Sequence, residues 1–528
     1  MSSLATLPAI APRRGLHPPR HLAERRWSAL VILAALCGFL FFYGLNVGEL
    51  YRTEALRAII AAEFLRSGNW IVPTLYGEPL FTKPPGHYAA IALCSGPFGG
   101  VSTWSARLPS AFAASATVFL FYGHFARQFG RRAGLTAAVV LPTSLMWLDK
   151  APSAEIDMLQ LAWVSAAILF FLRALEEHER PSLPSARRAI FRWWLLALLC
   201  VAGGFLTKWT APTFFYFTVL PLLWWRGRLR LLLGGRHLAS LAVAASLCLG
   251  WVAAAVSLTG WDVFLETVGR ESLMRISPRH HHRPYPWGES LAQPFLVLAT
   301  ALPWSVFALF TLRPRFAAGW DERGRRTLQA LHCWAWPNLL FWTVIPGHAV
   351  RYCLPLFPAI AGLAAMVLIR NGECSALLRT SRDRQGAVGP DPSLTVAAGS
   401  RRLPPFPLLV LAVWVVVKLV FIHAVVPMRT VHRQPRAKAE QLRALMPPDA
   451  TLYLFHTKDE GIMFYYGRPV RRVRDVAEIP SSGEPMYCML TAPEWRQWGA
   501  TRPAEEVARM SDEQGAPMVL IRLKGARP

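Results

Sequence analysis

The chain has 528 residues, of which 53% are hydrophobic, and its formal net charge is +25. A soluble protein of this length would divide into domains with polar surfaces, whereas here the apolar residues form long blocks such as 31–45, 295–312 and 408–426. Each block approaches the roughly 20 residues that cross about 30 Å of hydrocarbon. The basic residues lie between the blocks rather than on one domain. They therefore indicate cytoplasmic loops and exclude nucleic-acid binding as the function.

The apolar blocks, taken in chain order, predict a mainly α, polytopic membrane protein with about 11–13 transmembrane helices. The first block is long and lacks a clear cleavage site, so we interpret it as an uncleaved span after a basic N-terminus, 1–27. The stretch 86–99 is short, and a re-entrant helix, an interfacial helix and a tight span are all open for it. The predicted spans are 28–48, 105–126, 132–148, 155–175, 191–206, 209–225, 237–258, 291–312, 328–346, 350–370 and 403–427.

The loops between these spans alternate in charge, which predicts the topology. If the N-terminus is cytoplasmic, the loops that fall inside are rich in Arg, as the positive-inside rule requires: 127–132, 176–192, 226–236, 313–326 and 370–402. The predicted outer loops are 49–104, 149–154, 259–290 and the turn near 346–351.

The last part of the chain, 428–528, is predicted to be a small non-cytoplasmic α/β domain that follows the transmembrane domain, 28–427. Residues 451–455, 486–490 and 518–523 have the pattern of strands, and 492–498 and 503–510 have the pattern of helices. Four basic residues that follow the last span directly oppose this placement: Arg429, Arg433, Arg436 and Lys438.

The first outer loop carries residue types that phosphate chemistry needs. Glu54 and Arg57 are three residues apart, so they share one face of an interfacial helix predicted over 55–65. Transfer from a lipid phosphate needs a base for the acceptor hydroxyl and cations for the departing phosphate. Glu54 is the candidate base, and Lys83 with Arg57 is the candidate phosphate clamp. The alternatives are a Glu54–Arg57 salt bridge on a wet helix surface and a lysine that snorkels to the interface.

Six short motifs follow one another between about residues 45 and 475. They are Gly68-x-Trp70 with Pro73, Gly77 and Pro79; Lys83-Pro84-Pro85; Ala106-Arg107-Leu108-Pro109-Ser110; Phe205-Leu206-Thr207-Lys208; Arg351-Tyr352 with Leu354-Pro355-Leu356 and Pro358; and Phe464-Tyr465-Tyr466 with Gly467-Arg468-Pro469-Val470. In this order they resemble the GT-C glycosyltransferases of the protein O-mannosyltransferase and lipid A aminoarabinose transferase superfamily. Each motif alone is weak, but six in order are specific.

This resemblance implies a GT-C fold and a dolichyl- or undecaprenyl-phosphate-sugar donor. The family's Asp-Glu pair aligns with Thr53 and Glu54, and the acidic residue that often precedes the Lys-Pro-Pro motif aligns with Thr82. The family Asp usually has the catalytic role, so Glu54 is the adjacent carboxylate that remains. An acidic residue of the family aligns with Asp157, which is our second catalytic candidate. Its alternative role is to stabilise the N-terminus of the following helix.

Three more cations are candidate contacts of the donor phosphate: Lys208, Arg270 and Arg351. Lys208 and Arg351 lie at the outer ends of spans, where a charge is costly unless it has a role. Interfacial anchoring is the alternative for these two, and a solvated loop charge is the alternative for Arg270. His280, His281 and His282 in the loop 259–290 are candidate ligands of a divalent metal ion, against a structural or lipid-headgroup role. No other cofactor is predicted.

The sequence therefore predicts a multi-pass enzyme of the inner or plasma membrane. It would transfer a sugar from a polyprenyl-phosphate donor to a protein, lipid or glycan acceptor on the non-cytoplasmic face. One alternative is a transporter or flippase of lipid-linked sugars, which would favour repeat symmetry and charges inside the spans. The other is a catalytically silent relative that binds lipid, a possibility that the changes at Thr53 and Thr82 leave open.

Overall fold

The computed structural model describes residues 20–179, 184–276, 285–347, 349–370, 405–455, 457, 459–473, 485–498 and 504–523. The three candidate metal ligands His280, His281 and His282 and most of the predicted inner loop 370–402 lie outside these residues. The backbone of Arg270 belongs to a described helix, but its side chain lies outside the description.

Every predicted span coincides with a helix or a helix pair. These are α1 (Arg20–Cys37, continued by a π-helical turn at Gly38–Phe42), α4 (Thr103–Phe129), α5 (Arg131–Val140) with α6 (Leu145–Lys150), α7 (Ile156–Glu179), α8 (Pro184–Thr207), α9 (Ala211–Trp225), α10 (Gly235–Thr259), α12 (Trp287–Thr300) with α13 (Trp304–Phe310), α15 (Glu322–Val344), α16 (Val350–Arg370) and α17 (Pro405–Val420). Among the described residues, five helices are long and apolar enough to cross a membrane alone, or six if α12 and α13 count as one span. The polytopic, mainly α class is confirmed.

The remaining helices are shorter, and most lie at the ends of the bundle or in the C-terminal domain. They are α2 (Thr53–Ser67), α3 (Gly86–Ser95), α11 (Trp261–Ile276), α14 (Pro314–Ala318), α18 (Val426–Arg433), α19 (Pro435–Leu445), α20 (Glu460–Tyr466) and α21 (Ala492–Trp498). Short 3₁₀ segments occur at Gly96–Phe98, at Leu229–Leu233 and at Val350–Leu356, the start of α16, and a π-helical turn at Phe421–Val425 joins α17 to α18.

Two predicted spans differ from their expected shape. The span 291–312 is not one straight helix, because α12 and α13 meet at 109°. Pro303 lies at the break, where it has no N–H for the helical ladder and disfavours helix in the residue before it. The last span does not end at residue 427, since the helical run continues from Leu408 to Leu445. The part of this helical run that follows residue 427 therefore lies beyond the predicted membrane-spanning segment.

The helix predicted over 55–65 is confirmed as α2, but its surroundings differ from those of an interfacial helix. Ile60 and Phe64 on α2 share one apolar cluster with Leu442, Ile462 and Met489 of the C-terminal part of the chain. The helix is thus buried between the transmembrane bundle and the C-terminal domain. That domain consequently lies at the same end of the molecule as the first outer loop.

The C-terminal domain is built on a five-stranded mixed sheet with the order β4-β3-β5-β7-β6. Its strands are β3 (Leu452–Leu454), β4 (Val470–Arg472), β5 (Met486–Thr491), β6 (Ala504–Ser511) and β7 (Pro517–Leu523), and a separate hairpin in the first outer loop joins β1 (Thr74–Leu75) to β2 (Glu78–Pro79). The helix predicted over 503–510 is wrong, because Ala504–Ser511 forms β6. Pairing with β7 and the burial of Met510 outweigh the helix propensity of Ala, Glu and Arg.

Charged side chains from the predicted inner loops meet at one end of the bundle. Arg127 pairs with Glu176 at 3.2 Å, Arg226 pairs with Glu179 at 3.3 Å, and Arg131 donates to Ser28 at the start of the first span. The predicted outer loops meet at the other end, as described below. The segregation into two ends agrees with the charge-based topology, and the cytoplasmic identity of the first end stays a prediction.

Alkaline phosphatase fused after Pro528 should be active, because this enzyme matures only outside the cytoplasm and the C-terminal domain packs on the first outer loop. The matched control is the same reporter inserted after Arg230, in a predicted inner loop, which should be inactive. Activity of the control together with inactivity of the C-terminal fusion would invert the topology.

Candidate functional site

A cavity of about 440 Å³ opens at the outer end of the bundle, between the turn that follows α1, the N-terminus of α2, the loop 149–155 and the helical run 421–433. Its charged lining residues come from five separate parts of the sequence. The cations are Arg52, Arg107, Lys150, Arg351, Arg429 and Arg433, and the carboxylates are Glu49, Glu54, Asp149 and Glu155. Six cations against four carboxylates leave the cavity with a net positive charge, which suits an anionic ligand.

Glu54, the candidate base, lines this cavity and is held by two partners. Its carboxylate accepts two hydrogen bonds from Arg107, at 3.1 and 3.2 Å, and one from the backbone N–H of Ala154 at 2.7 Å. The side chain is 14% exposed. The partner of Glu54 is thus Arg107 and not Arg57. A bidentate, largely buried pair takes the place of the alternative Glu54–Arg57 salt bridge on a wet helix surface.

The motif Ala106–Ser110 explains why this geometry forms. Ser102 caps the N-terminus of α4 through a capping box with Ser105, which places Arg107 one turn into the helix, facing the first outer loop. Arg107 also donates to the carbonyl groups of Leu45 and Val47, at 2.9 and 2.8 Å. The motif therefore joins the end of the first span to the N-terminal turn of α2.

Asp157, the second catalytic candidate, forms a buried ion pair with Lys208. The distance from Asp157 Oδ1 to Lys208 Nζ is 2.6 Å, and each side chain is 4% exposed. The ammonium also lies 4.8 Å from the centre of the Tyr352 ring, where it makes a cation–π contact. Asp157 therefore places Lys208, and neither residue lines the outer cavity.

Glu155 connects this buried pair to the cavity. Its carboxylate lies 3.1 Å from Lys150 and 3.3 Å from Arg351, and its carbonyl accepts a hydrogen bond from Ser110. Sequence reasoning did not select Glu155. The signal that could have found it is the spacing of Glu155 and Asp157, two carboxylates at the mouth of one helix.

Two of the four basic residues that seemed to oppose an outer C-terminal domain, Arg429 and Arg433, line the cavity. Arg429 pairs with Asp149 at 3.3 Å, and the Arg433 guanidinium lies 3.8 Å from the centre of the Tyr51 ring. They are placed there because the last helix does not end at the bilayer but continues along the cavity wall. Arg429 and Arg433 thus line the cavity, although a count of charges alone would interpret them as a signal for a cytoplasmic loop.

Arg57 and Lys83 lie beside the cavity rather than in its lining. Arg57 is buried and donates to the Thr53 carbonyl at 2.6 Å. Lys83 is also buried, and its ammonium donates to the Thr82 carbonyl at 2.7 Å. The turn after Lys83 packs on the end of α8, since a Cβ on Gly86 would lie 2.7 Å from the Leu206 carbonyl oxygen. The Lys-Pro-Pro motif is thereby brought next to the helix end that carries Lys208.

His87 is a buried residue that sequence reasoning missed. Its Nε2 lies 3.2 Å from the carbonyl oxygen of Ala154, whose N–H binds Glu54. Burial and the nearby Arg57 guanidinium lower the pKa of His87 to about 3, so the ring is neutral and Nε2 is the donor. Ala154 thus ties α3 to α2, since its carbonyl oxygen contacts His87 and its N–H binds Glu54.

The described residues contain no group of three or more His, Cys, Asp or Glu side chains that could hold a metal ion. Thr82, which precedes the Lys-Pro-Pro motif, has no carboxylate that could bind a metal ion. The metal site suggested by His280, His281 and His282 lies outside the described residues and stays a prediction.

Known proteins resemble the chain in both sequence and fold. Residues 82–253 match the family model described as dolichyl-phosphate-mannose-protein mannosyltransferase. The crystal structure of ArnT from Cupriavidus metallidurans bound to undecaprenyl phosphate superposes with a TM-score of 0.71 at 19% identity, covering 95% of this chain and 99% of that one. This chain has the GT-C fold. The archaeal oligosaccharyltransferase AglB from Archaeoglobus fulgidus shares it more distantly, with a TM-score of 0.51 at 13% identity over 85% of this chain and 64% of that one.

Curated relatives of the chain include undecaprenyl phosphate-alpha-4-amino-4-deoxy-L-arabinose arabinosyl transferases. The protein from Pseudomonas savastanoi pv. phaseolicola is 27% identical over 354 residues, which are 66% of this chain and 62% of the relative. The protein from Sodalis glossinidius is 30% identical over 335 residues, 62% of this chain and 56% of the relative. The match therefore spans about 60% of the length of these relatives. The resemblance to the GT-C transferases that the six motifs predicted is confirmed, as is the multi-pass membrane architecture.

Proposed function

We propose that this protein is a glycosyltransferase that takes a sugar from a polyprenyl-phosphate donor and transfers it to an acceptor hydroxyl on the non-cytoplasmic face of the inner membrane. The observation that carries the proposal is the cavity that faces Glu54, with six cationic side chains in its wall at the outer end of a GT-C bundle. An undecaprenyl-phosphate donor agrees with the curated relatives and with the lipid bound to the ArnT structure.

The proposed reaction is a direct displacement at the anomeric carbon of the donor sugar. The acceptor oxygen forms a bond to that carbon while the bond from the carbon to the phosphate oxygen breaks. The acceptor proton passes to the Glu54 carboxylate, and the polyprenyl phosphate leaves as an anion. The negative charge that develops on the phosphate is the reason for cations around the site.

The cations divide into two sets in this proposal. Arg351 lies in the cavity wall and is 35% exposed, so its guanidinium can meet a phosphate directly. Lys208 and Lys83 lie deeper, at the end of α8 and on the turn packed against it. The Arg57 guanidinium donates to the Thr53 carbonyl, and its charge also acts on Asp157. It therefore adds positive charge next to Glu54, the candidate base. The Asp157 carboxylate holds Lys208 in place, and Asp157 itself is the rival candidate for the base.

Mass spectrometry of the lipids that copurify with the full-length protein tests the proposal. We expect a polyprenyl phosphate, with or without its sugar, in wild type and a marked loss of it in Arg351→Met. A matched control is Arg325→Met, which removes an exposed cation at the opposite end of the bundle. Equal recovery of ordinary phospholipids only, from all three proteins, would contradict the proposal.

Lys83→Ala should lower the turnover of donor by about 10²–10³, since a lost phosphate contact in a partly dry site removes roughly 2–4 kcal/mol of transition-state stabilisation. The measurement is kcat/KM with one purified donor, together with thermal stability in detergent. Lys83→Arg keeps the charge and should retain more activity than Lys83→Ala. Full turnover of Lys83→Ala with normal folding would make Lys83 an interfacial anchor.

A further inference from the structure

The segment just before α2 is held by the C-terminal domain. The Glu513 carboxylate accepts a hydrogen bond from the Arg52 backbone N–H at 3.2 Å. The Tyr465 hydroxyl accepts one from the Leu50 N–H at 2.9 Å and lies 3.1 Å from the Thr103 hydroxyl. These contacts connect residues more than 360 positions apart in the chain. The contacted residue nearest the candidate base is Arg52, which comes one residue before Thr53 and two residues before Glu54.

The backbone at Arg52 needs such support. Its φ is +43°, in the left-handed region that residues other than glycine rarely adopt. A strained residue of this kind persists only where its surroundings hold it, and it often lies at a functional site. Arg52 is the N-cap position of α2 and has no side-chain cap. Its conformation therefore sets the direction in which α2 presents Glu54 to the cavity.

Glu513 is buried in the C-terminal domain, where other groups of the domain hold its carboxylate in place. It is 3% exposed, and its second carboxylate oxygen accepts the Ile462 N–H at 3.1 Å. Its own N–H donates to Asp459 at 3.2 Å. Gly461 permits the close approach, since a Cβ there would collide with the Glu513 carboxylate and would lie 2.9 Å from the Leu50 carbonyl oxygen.

We propose that Glu513 is a positioning residue of the site: its carboxylate bridges α20 and the strained Arg52 backbone and thereby fixes the orientation of Glu54. The proposal rests on the proposed function in so far as Glu54 acts in transfer. The bridge itself can be tested without a measurement of turnover.

The surroundings of Glu513 make the bridge sensitive to pH. The charged and titratable groups around it are Asp459, Glu460, Asp512, Lys438, Tyr76 and Arg472. Burial, followed by repulsion from Asp459, raises the pKa of Glu513 from 4.5 to about 7, and burial raises the pKa of Asp459 from 3.8 to about 6. The folded protein therefore binds protons at these two carboxyl groups more tightly than the unfolded chain does. Their contribution to stability is present below the ordinary pKa values and is lost as the pH rises to about 7.

Hydrogen–deuterium exchange of the full-length protein in nanodiscs tests the bridge. At one pH, the amides of residues 50–54 should exchange about tenfold faster or more in Glu513→Ala than in wild type, because a hydrogen bond to a carboxylate is lost. Glu513→Gln should be intermediate, since an amide oxygen accepts while the amide nitrogen does not. Glu505→Gln is the matched control: the same change on an exposed residue of the same domain, which should leave the exchange at residues 50–54 unchanged.

The pH profile of turnover separates positioning from a purely structural role. Glu513→Gln should be slower than wild type, because its amide nitrogen cannot accept the second N–H, and it should lose the part of the pH dependence that Glu513 contributes near pH 7. Unchanged exchange at residues 50–54 in Glu513→Ala would overturn the bridge. Faster exchange with wild-type turnover and pH profile would overturn the positioning role. A wild type without turnover would count against the proposed function, and the exchange result alone would then decide the bridge.

Discussion

Glu54→Gln should reduce sugar transfer by about 10²–10⁴, the range that a general base contributes, while donor binding stays within a few-fold. Gln keeps the shape and can still accept the Ala154 N–H, but it cannot take the acceptor proton. The structure adds a second effect, because the buried Arg107 loses the charge of its partner and the hydrogen bond from Nη2 to Oε2, while Nε can still donate to the amide oxygen. The variant should therefore also be less stable, and kcat must be measured on folded protein.

Glu63→Gln is the matched control for this experiment. Glu63 lies on the same helix, and its carboxylate accepts the Tyr76 N–H at 2.8 Å, but it does not line the cavity. It should lose stability and keep its transfer activity. A second variant, Thr53→Asp with Glu54→Gln, places a carboxylate at the N-terminus of α2, where the helix dipole favours it, and should recover part of the activity. If Glu54→Gln turns over normally and Asp157→Asn does not, the base is Asp157.

Asp157→Asn should destabilise the protein by about 3–5 kcal/mol, because it leaves the Lys208 ammonium buried without a carboxylate. The readout is the melting temperature in detergent, followed by size-exclusion chromatography. The double variant Asp157→Asn with Lys208→Met removes both charges and should recover most of the lost stability, since a buried pair replaced as a unit is close to neutral.

The same double variant tests what Lys208 does in transfer. If Lys208 contacts the donor phosphate, activity should stay lost although the protein is stable again. Recovery of activity together with stability would make the Asp157–Lys208 pair a structural element of the bundle. A stable but inactive Asp157→Asn single variant would instead point to Asp157 as a catalytic group.

Much of this architecture could be predicted from the sequence because two signals are strong. Apolar blocks of bilayer length located the helices and helix pairs of the bundle, and five or six of these, among the described residues, are long and apolar enough to cross a membrane. The alternation of Arg-rich loops located the two ends of the bundle. The motifs also pointed to the correct neighbourhood: Arg107 contacts Glu54, Lys208 and Tyr352 contact each other, and Tyr465 contacts the segment before α2.

What the sequence did not reveal depends on long-range packing. The partner of Glu54 is 53 residues away on another helix, so helical spacing favoured Arg57 instead. Arg429 and Arg433 were assigned to topology because nothing local shows that the last helix continues along the cavity. The residues of β6 are good helix formers, and only their pairing with β7 makes them a strand.

Transfer by the purified protein tests the central claim most directly. Wild type in nanodiscs is incubated with undecaprenyl-phosphate-linked sugars and a membrane extract as acceptor, and mass spectrometry follows both the free undecaprenyl phosphate and the glycosylated product. We expect release of undecaprenyl phosphate that requires acceptor, with a new sugar-bearing product in wild type and Glu63→Gln and none in Glu54→Gln. Binding of the donor without release under any acceptor condition would contradict the account and would favour a lipid-binding relative that has lost transfer activity.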